Sequence, residues 1–322
     1  MTRYLARRLA FALLLVIAVS SASLVLARLA PGDFAAESAG AGASRQAIER
    51  QRARYGLDKS VAGQYRAWIA AAARLDFGDS MQYGRPVRDV IPERAANTAV
   101  LAVTALVMAT LIGLPLGVVA GSRRGGALPG AIRAASIVLL SMPPLLTSLF
   151  LLFIAARTGW LPISGMRSAT VPREGALVDL LRHLAVPAAA IALPLAAMLE
   201  RLQAQAMSDV IGEPFVLAAL ARGVPRSRIV WRGALKAALR PVAAVYGLII
   251  GTLLSGSFAV EVITAWPGLG SLMLQALRTR DVYLVAGCAG AGALFLACGT
   301  LISDLALAAV DPRASETRTE HA

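Results

Sequence analysis

The sequence predicts an all-α polytopic membrane protein with six transmembrane helices, and three observations carry that prediction. The 322-residue chain is 57% hydrophobic with a mean hydropathy of +0.65, more apolar surface than a water-soluble fold hides. Its apolar residues fall into long runs, each near the ~20 residues a helix needs to cross a bilayer. Lipid requires every backbone polar group to be satisfied within a helix or a closed barrel, and a barrel would show short alternating segments instead. The net charge of +13 suits a membrane protein, in which Lys and Arg gather in cytoplasmic loops and at the membrane surface.

The first span covers residues 9–27. Arg3, Arg7 and Arg8 ahead of it and Ser20-Ser-Ala-Ser23 within it resemble a secretory signal peptide. The apolar run continues through Leu24-Val-Leu-Ala27, longer than a usual signal core, which favours an uncleaved span. Residues 31–96 read as a small folded extracytoplasmic element. Ser44 is placed to N-cap a polar helix over 44–54. Residues 64–74 read as an amphipathic helix with Trp68 and Ile69 toward the membrane. Asp76-Phe-Gly-Asp-Ser80 and Tyr83-Gly-Arg-Pro86 carry turn residues.

Spans two, three and four cover 97–120, 134–156 and 183–203. Pro143-Pro144 interrupts the third and Pro187 and Pro194 the fourth, and a kink is the ordinary consequence. Spans five and six cover 241–261 and 282–302. The tail after Arg313 is polar and short, with the composition of a disordered end.

With six spans, Arg3, Arg7 and Arg8, then Arg123, Arg124 and Arg133, then Arg201, Arg222, Arg226, Arg228, Arg232, Lys236 and Arg240 all fall on one side. That side is cytoplasmic, with both termini inside. The 31–96 segment also carries arginines, but long loops translocate largely regardless of charge. The basic residues are dispersed and lack interleaved aromatics, so no nucleic acid is expected as a partner. Membrane lipid is. Cys288 and Cys298 stand ten residues apart, about 15 Å along a helix, which rules out a disulfide between them. They are too few for a metal cluster. His183 and His321 are far apart, and no metal site is expected.

The most distinctive stretch runs from Pro214 to Arg240. Val216, Ala219 and Leu220 form an apolar stripe at helical spacing. Gly223 stands where a C′ glycine ends a helix. Val224-Pro225 starts a second segment with proline in its first turn, and Ile229, Val230, Trp231 and Leu235 continue the apolar side. Two short helices meeting at a glycine suit a docking ridge for a soluble partner that transmits a rigid-body push. A basic amphipathic segment lying on anionic lipid fits the same residues.

This insert resembles the EAA loop of binding-protein-dependent ABC importer permeases of the dipeptide/oligopeptide/nickel branch. Ala219, Ala221, Gly223, Ala234, Leu235, Ala238, Leu239 and Pro241 fit its pattern, while Leu217 and Leu220 replace its basic residues and Gly233 its histidine. Tyr4-Leu-Ala-Arg-Arg-Leu9, Leu29-Ala-Pro-Gly-Asp33, Tyr55-Gly-Leu-Asp58, Trp68, Asp76-Phe-Gly78, Val260-Glu261, Trp266-Pro-Gly-Leu-Gly270 and Asp311-Pro-Arg313 resemble further family segments in order. The resemblance implies a type I ABC importer permease fold. It divides the chain into the N-terminal tail and first helix (1–30), an extracytoplasmic segment (31–96), a five-helix core with a coupling loop at 208–241 (97–311), and a cytoplasmic tail (312–322).

It also implies Ala218, Ala219, Arg222, Gly223, Val224, Pro225 and Arg226 as the ATPase-coupling residues. The implied partners are a homologous second permease, two cytoplasmic ATPases and an extracytoplasmic solute-binding protein at a bacterial inner membrane. This chain then holds no cofactor, ATP and magnesium belonging to the ATPase, since it has no phosphate-binding loop. Ser255 and Glu261 are candidates for the translocation path or gate. Small hydroxyls also serve helix packing, and Glu261 is equally placed to brace the Pro267-Gly268 turn. Two rivals have less support. An ion-driven secondary transporter would favour midplane carboxylates and inverted repeats. An intramembrane enzyme would need paired catalytic groups.

Overall fold

The computed structural model describes residues 2–39, 44–123, 125–168 and 175–310. The predicted tail and Arg124 lie outside them. Among the described residues the chain is helical, with one isolated bridge between Asp79 and Pro86. It divides into two compact units, one of residues 1–99 with 265–298 and the other of 100–264 with 299–322.

The first unit contains α1 (Thr2–Leu29), α2 (Phe34–Ala39), α3 (Arg45–Arg54), α4 (Val61–Ala72), the start of α5 (Val87–Ser122), α12 (Leu269–Arg278) and the start of α13 (Val282–Val310). Ser60 begins α4 by accepting from the Gly63 N–H at 3.2 Å, three residues ahead of the predicted start. Trp68 was expected to face the membrane. Instead it is buried against Leu24 and Ala286, because its indole N–H finds the Phe77 carbonyl at 3.2 Å. Arg28 ties α1 to α4 through the Gln64 side chain at 2.6 Å. Gln64 in turn donates to the Tyr283 hydroxyl of α13 at 3.1 Å.

Asp281 organises this unit. One carboxylate oxygen accepts from the Leu284 N–H at 3.2 Å and so caps α13. The other accepts from the Ser80 hydroxyl at 2.6 Å and the Gln82 N–H at 3.0 Å. Because the carboxylate is fully buried, Asp281→Ala strands three donors and is expected to cost about 3 kcal/mol. The melting temperature of the detergent-purified chain measures this, and Asp281→Asn should lose less.

The second unit contains the rest of α5, α6 (Ala127–Leu140), α7 (Pro144–Thr158), α8 (Ala176–Ile211), α9 (Pro214–Ala221), α10 (Arg226–Arg228), α11 (Leu235–Ile263) and the end of α13. α8 is central, packing against α6, α7 and α11. Gly113, Gly117 and Gly121 let α5 approach it at backbone distance. A Cβ on Gly113 would sit 2.5 Å from the Ala196 carbonyl oxygen, and one on Gly117 2.6 Å from the Glu200 carbonyl oxygen. Small residues at this spacing are how helices pack closely in lipid.

Among the described residues five helices are long and apolar enough to cross a membrane, and α6 with α7 supplies a sixth if the pair is one span. That pair departs from the predicted single helix by bending 105°. Pro143 takes an extended conformation, φ −58 and ψ 148, and neither it nor Pro144 offers an N–H to continue the ladder. Pro187 and Pro194 do the opposite, remaining inside a continuous 36-residue α8. α5 begins at Val87, ten residues before the predicted span, so residues 87–96 are helix rather than loop.

Candidate coupling site

α8 ends at Ile211, and Pro214 opens α9 at a position where its missing N–H is harmless. α9 ends in a Schellman motif. The Val224 N–H reaches the Ala219 carbonyl at 3.1 Å and the Gly223 N–H the Leu220 carbonyl at 2.9 Å. Gly223 supplies the required left-handed residue, φ +75. A side chain there would meet nothing within 4 Å, so backbone conformation rather than space demands the glycine.

Pro225 is the residue before α10 rather than part of its first turn. A π-helical turn, Ile229–Ala234, then joins α10 to α11. The predicted 208–241 loop is therefore the ends of two long helices around short helical turns over residues 212–234. The predicted stripe also splits. Val216 is buried, as are Ile229, Val230 and Ala234. Phe215, Leu217 and Leu220 are 48%, 57% and 45% exposed. Burying Val216 under the π turn leaves Leu217 and Leu220, three residues apart, as an apolar ridge, with Phe215 exposed on another side of α9.

Of the predicted coupling residues, Ala218, Arg222, Gly223, Pro225 and Arg226 are exposed, and Ala219 and Val224 are half-buried. The turn brings all seven together. Arg226 also donates to the Ser122 carbonyl at 3.0 Å, fastening the insert to the end of α5. The Ser255 side chain lies outside the described residues. Glu261 is fully buried on α11, about 50 Å along the helix from Arg226, and forms no part of this cluster.

Two residues the sequence reading passed over are Glu200 and Gln203 on α8, 1% and 0% exposed. Neither side chain has a hydrogen-bond partner among the described residues. Glu200 borders an otherwise largely apolar cavity of about 290 Å³ with Leu116, Ile132, Ser136 and Leu193. Their signal in the sequence was a Glu and a Gln three apart at the end of an apolar span. A buried carboxylate without a partner is costly. Glu200→Met is expected to stabilise the isolated chain by about 1–3 kcal/mol, read as a rise in melting temperature in detergent. At the other end of α8, Asp179 is also buried and accepts from the Ser168 N–H and hydroxyl, each at 2.7 Å.

Comparison with known proteins agrees with this architecture. The family of binding-protein-dependent transport system inner membrane components matches residues 113–316, and the N-terminal family of the same components matches residues 1–102. The oligopeptide transport system permease protein AppB of Bacillus subtilis (strain 168) is 30% identical over 315 residues, covering 97% of this chain and 99% of its own. The dipeptide transport system permease protein DppB of Escherichia coli (strain K12) is 29% identical over 334 residues, covering 97% and 98%. A family match over most of the chain, full-length relatives and a polytopic helical fold lead to one conclusion: the chain belongs to the binding-protein-dependent transport system inner membrane components, as a multi-pass permease subunit of an ABC importer.

Proposed function

We propose that this permease forms half of a translocation pathway for a peptide or similar small solute, paired with a homologous second permease. Two cytoplasmic ATPases, which hold ATP and magnesium, engage the turn around Gly223. An extracytoplasmic solute-binding protein delivers the solute. The observation that carries the coupling role is the Schellman turn beside an exposed apolar ridge, Leu217 and Leu220. Such a ridge suits a protein groove, since desolvated apolar contacts are what anchor an interface. The full-length likeness to permeases named for oligopeptide and dipeptide transport supports the solute class.

In mechanism, closure of the ATPase dimer pushes the ridge as a rigid body. The Arg226–Ser122 contact and the continuity of the π turn with α11 carry that push into α5 and α11. Both termini and the ridge are cytoplasmic in this reading, and residues 31–86 extracytoplasmic. Single cysteines test the orientation, in a chain carrying Cys288→Ala and Cys298→Ala. Asp58→Cys should react with a membrane-impermeant thiol reagent in intact cells, and Glu213→Cys only after permeabilisation. The reverse pattern would invert the topology and detach the ridge from any cytoplasmic partner.

A further inference from the structure

A second cavity, of about 660 Å³, lies between the end of α5 and the insert. Its polar wall carries the guanidinium-bearing Arg123 and Arg226 with Ser122 and Ser227, and its apolar wall carries Val230 and Trp231. The coupling role does not require this cavity. Both arginines are exposed, and no ion pair to either is present among the described residues. Arg226 spends one N–H on the Ser122 carbonyl, leaving further donors of its planar fork free to face an anion. Val118 and Val230 are buried behind them, while Trp231 is 47% exposed, as suits an indole at a membrane–water boundary.

This combination of a cationic rim, hydroxyls and an apolar, indole-bearing floor matches one ligand chemistry. It suits a phosphate ester carrying an apolar body. Guanidinium forks match phosphate oxygens bidentately, and basic pockets between spans on the cytoplasmic side hold anionic headgroups. Inorganic phosphate would use the rim but leave the valine and indole surface unfilled. We propose that this cavity binds the phosphodiester headgroup of an anionic phospholipid, with the start of an acyl chain against Val230 and Trp231. Its assignment to the cytoplasmic leaflet rests on the orientation proposed above. Binding itself depends neither on that orientation nor on ATPase docking. A lipid seated here would brace the α5–insert junction at the Arg226–Ser122 contact.

The experiment uses the purified full chain in nanodiscs of phosphatidylethanolamine doped with acyl-brominated lipid. Bromine quenches tryptophan, and the Trp231 contribution is the difference between the wild type and Trp231→Phe. Brominated phosphatidylglycerol should half-quench Trp231 at a mole fraction roughly 30-fold below that of brominated phosphatidylethanolamine, about fivefold for each guanidinium near the headgroup. Arg123→Gln with Arg226→Gln should abolish the preference, and Arg123→Lys with Arg226→Lys should keep most of it. Unchanged quenching of the remaining tryptophans shows that the variants insert normally. Equal quenching by the two lipids in the wild type overturns the proposal without any variant. So does a preference that survives the double glutamine change. Relief of quenching by millimolar inorganic phosphate would instead assign the rim to a soluble phosphate and overturn the lipid assignment.

Discussion

Gly223→Val is expected to lower transport and substrate-stimulated ATP hydrolysis together, by tenfold or more. Gly223 holds φ +75, a region that costs a non-glycine residue about 1–3 kcal/mol, with β-branched residues at the upper end. At 1.4 kcal/mol per tenfold, that cost disfavours the native turn by about fivefold at its lower end and more than about a hundredfold at the upper end where valine falls. No neighbour lies within 4 Å of the added Cβ, so the effect is conformational. Gly223→Asn, which tolerates the left-handed region, should therefore retain most coupling where valine and alanine do not. The packing of the long helices does not depend on this exposed turn, and insertion should be normal. Co-purification of the ATPase should fall with activity, while the solute-binding protein keeps its ligand affinity. Wild-type docking and transport in Gly223→Val would remove this turn from its coupling role and restore the reading of a helix resting on lipid.

Gly117→Leu is expected to have the largest effect on folding. A Cβ at this position would lie 2.6 Å from the Glu200 carbonyl oxygen and from the Gln203 Cβ. Backbone atoms of α8 cannot rotate away as a flexible side chain can, so α5 and α8 must separate. Overpacking of this kind costs about 1–3 kcal/mol for one added methyl and more for a branched chain, against a total stability of roughly 5–15 kcal/mol. Detergent-extracted Gly117→Leu should elute as aggregate on size exclusion, and Gly117→Ala as a folded but less heat-stable chain. Gly130→Ala, on α6 with nothing within 4 Å of its added Cβ, should behave as wild type or slightly better. Normal folding of Gly117→Leu would show that the α5–α8 approach is looser than the backbone distances require.

The sequence by itself determined the class of fold and the place of the glycine turn after α9, because both are written in local chemistry. Long apolar runs become helices wherever lipid replaces water. The glycine that ends α9 was legible because a Schellman motif needs only a stretch of helix and one left-handed residue. Even the departures Leu217 and Leu220 were visible as letters, though not as an exposed ridge.

Tertiary structure alone decided what depends on contacts between segments distant in sequence. Proline is the clearest case. The same residue type breaks the chain by 105° at Pro143-Pro144 and passes unbroken through α8 at Pro187 and Pro194. Trp68 reads as a membrane-facing aromatic until the Phe77 carbonyl accepts its N–H. Asp281 reads as an ordinary loop acid until Ser80 and Gln82, about 200 residues earlier, donate to it. Gly113, Gly117 and Gly121 were regularly spaced letters whose meaning required α8 opposite them. Capping and hydropathy act within a few residues, whereas burial and close approach are properties of pairs of helices, and only the assembled packing selects the pairs.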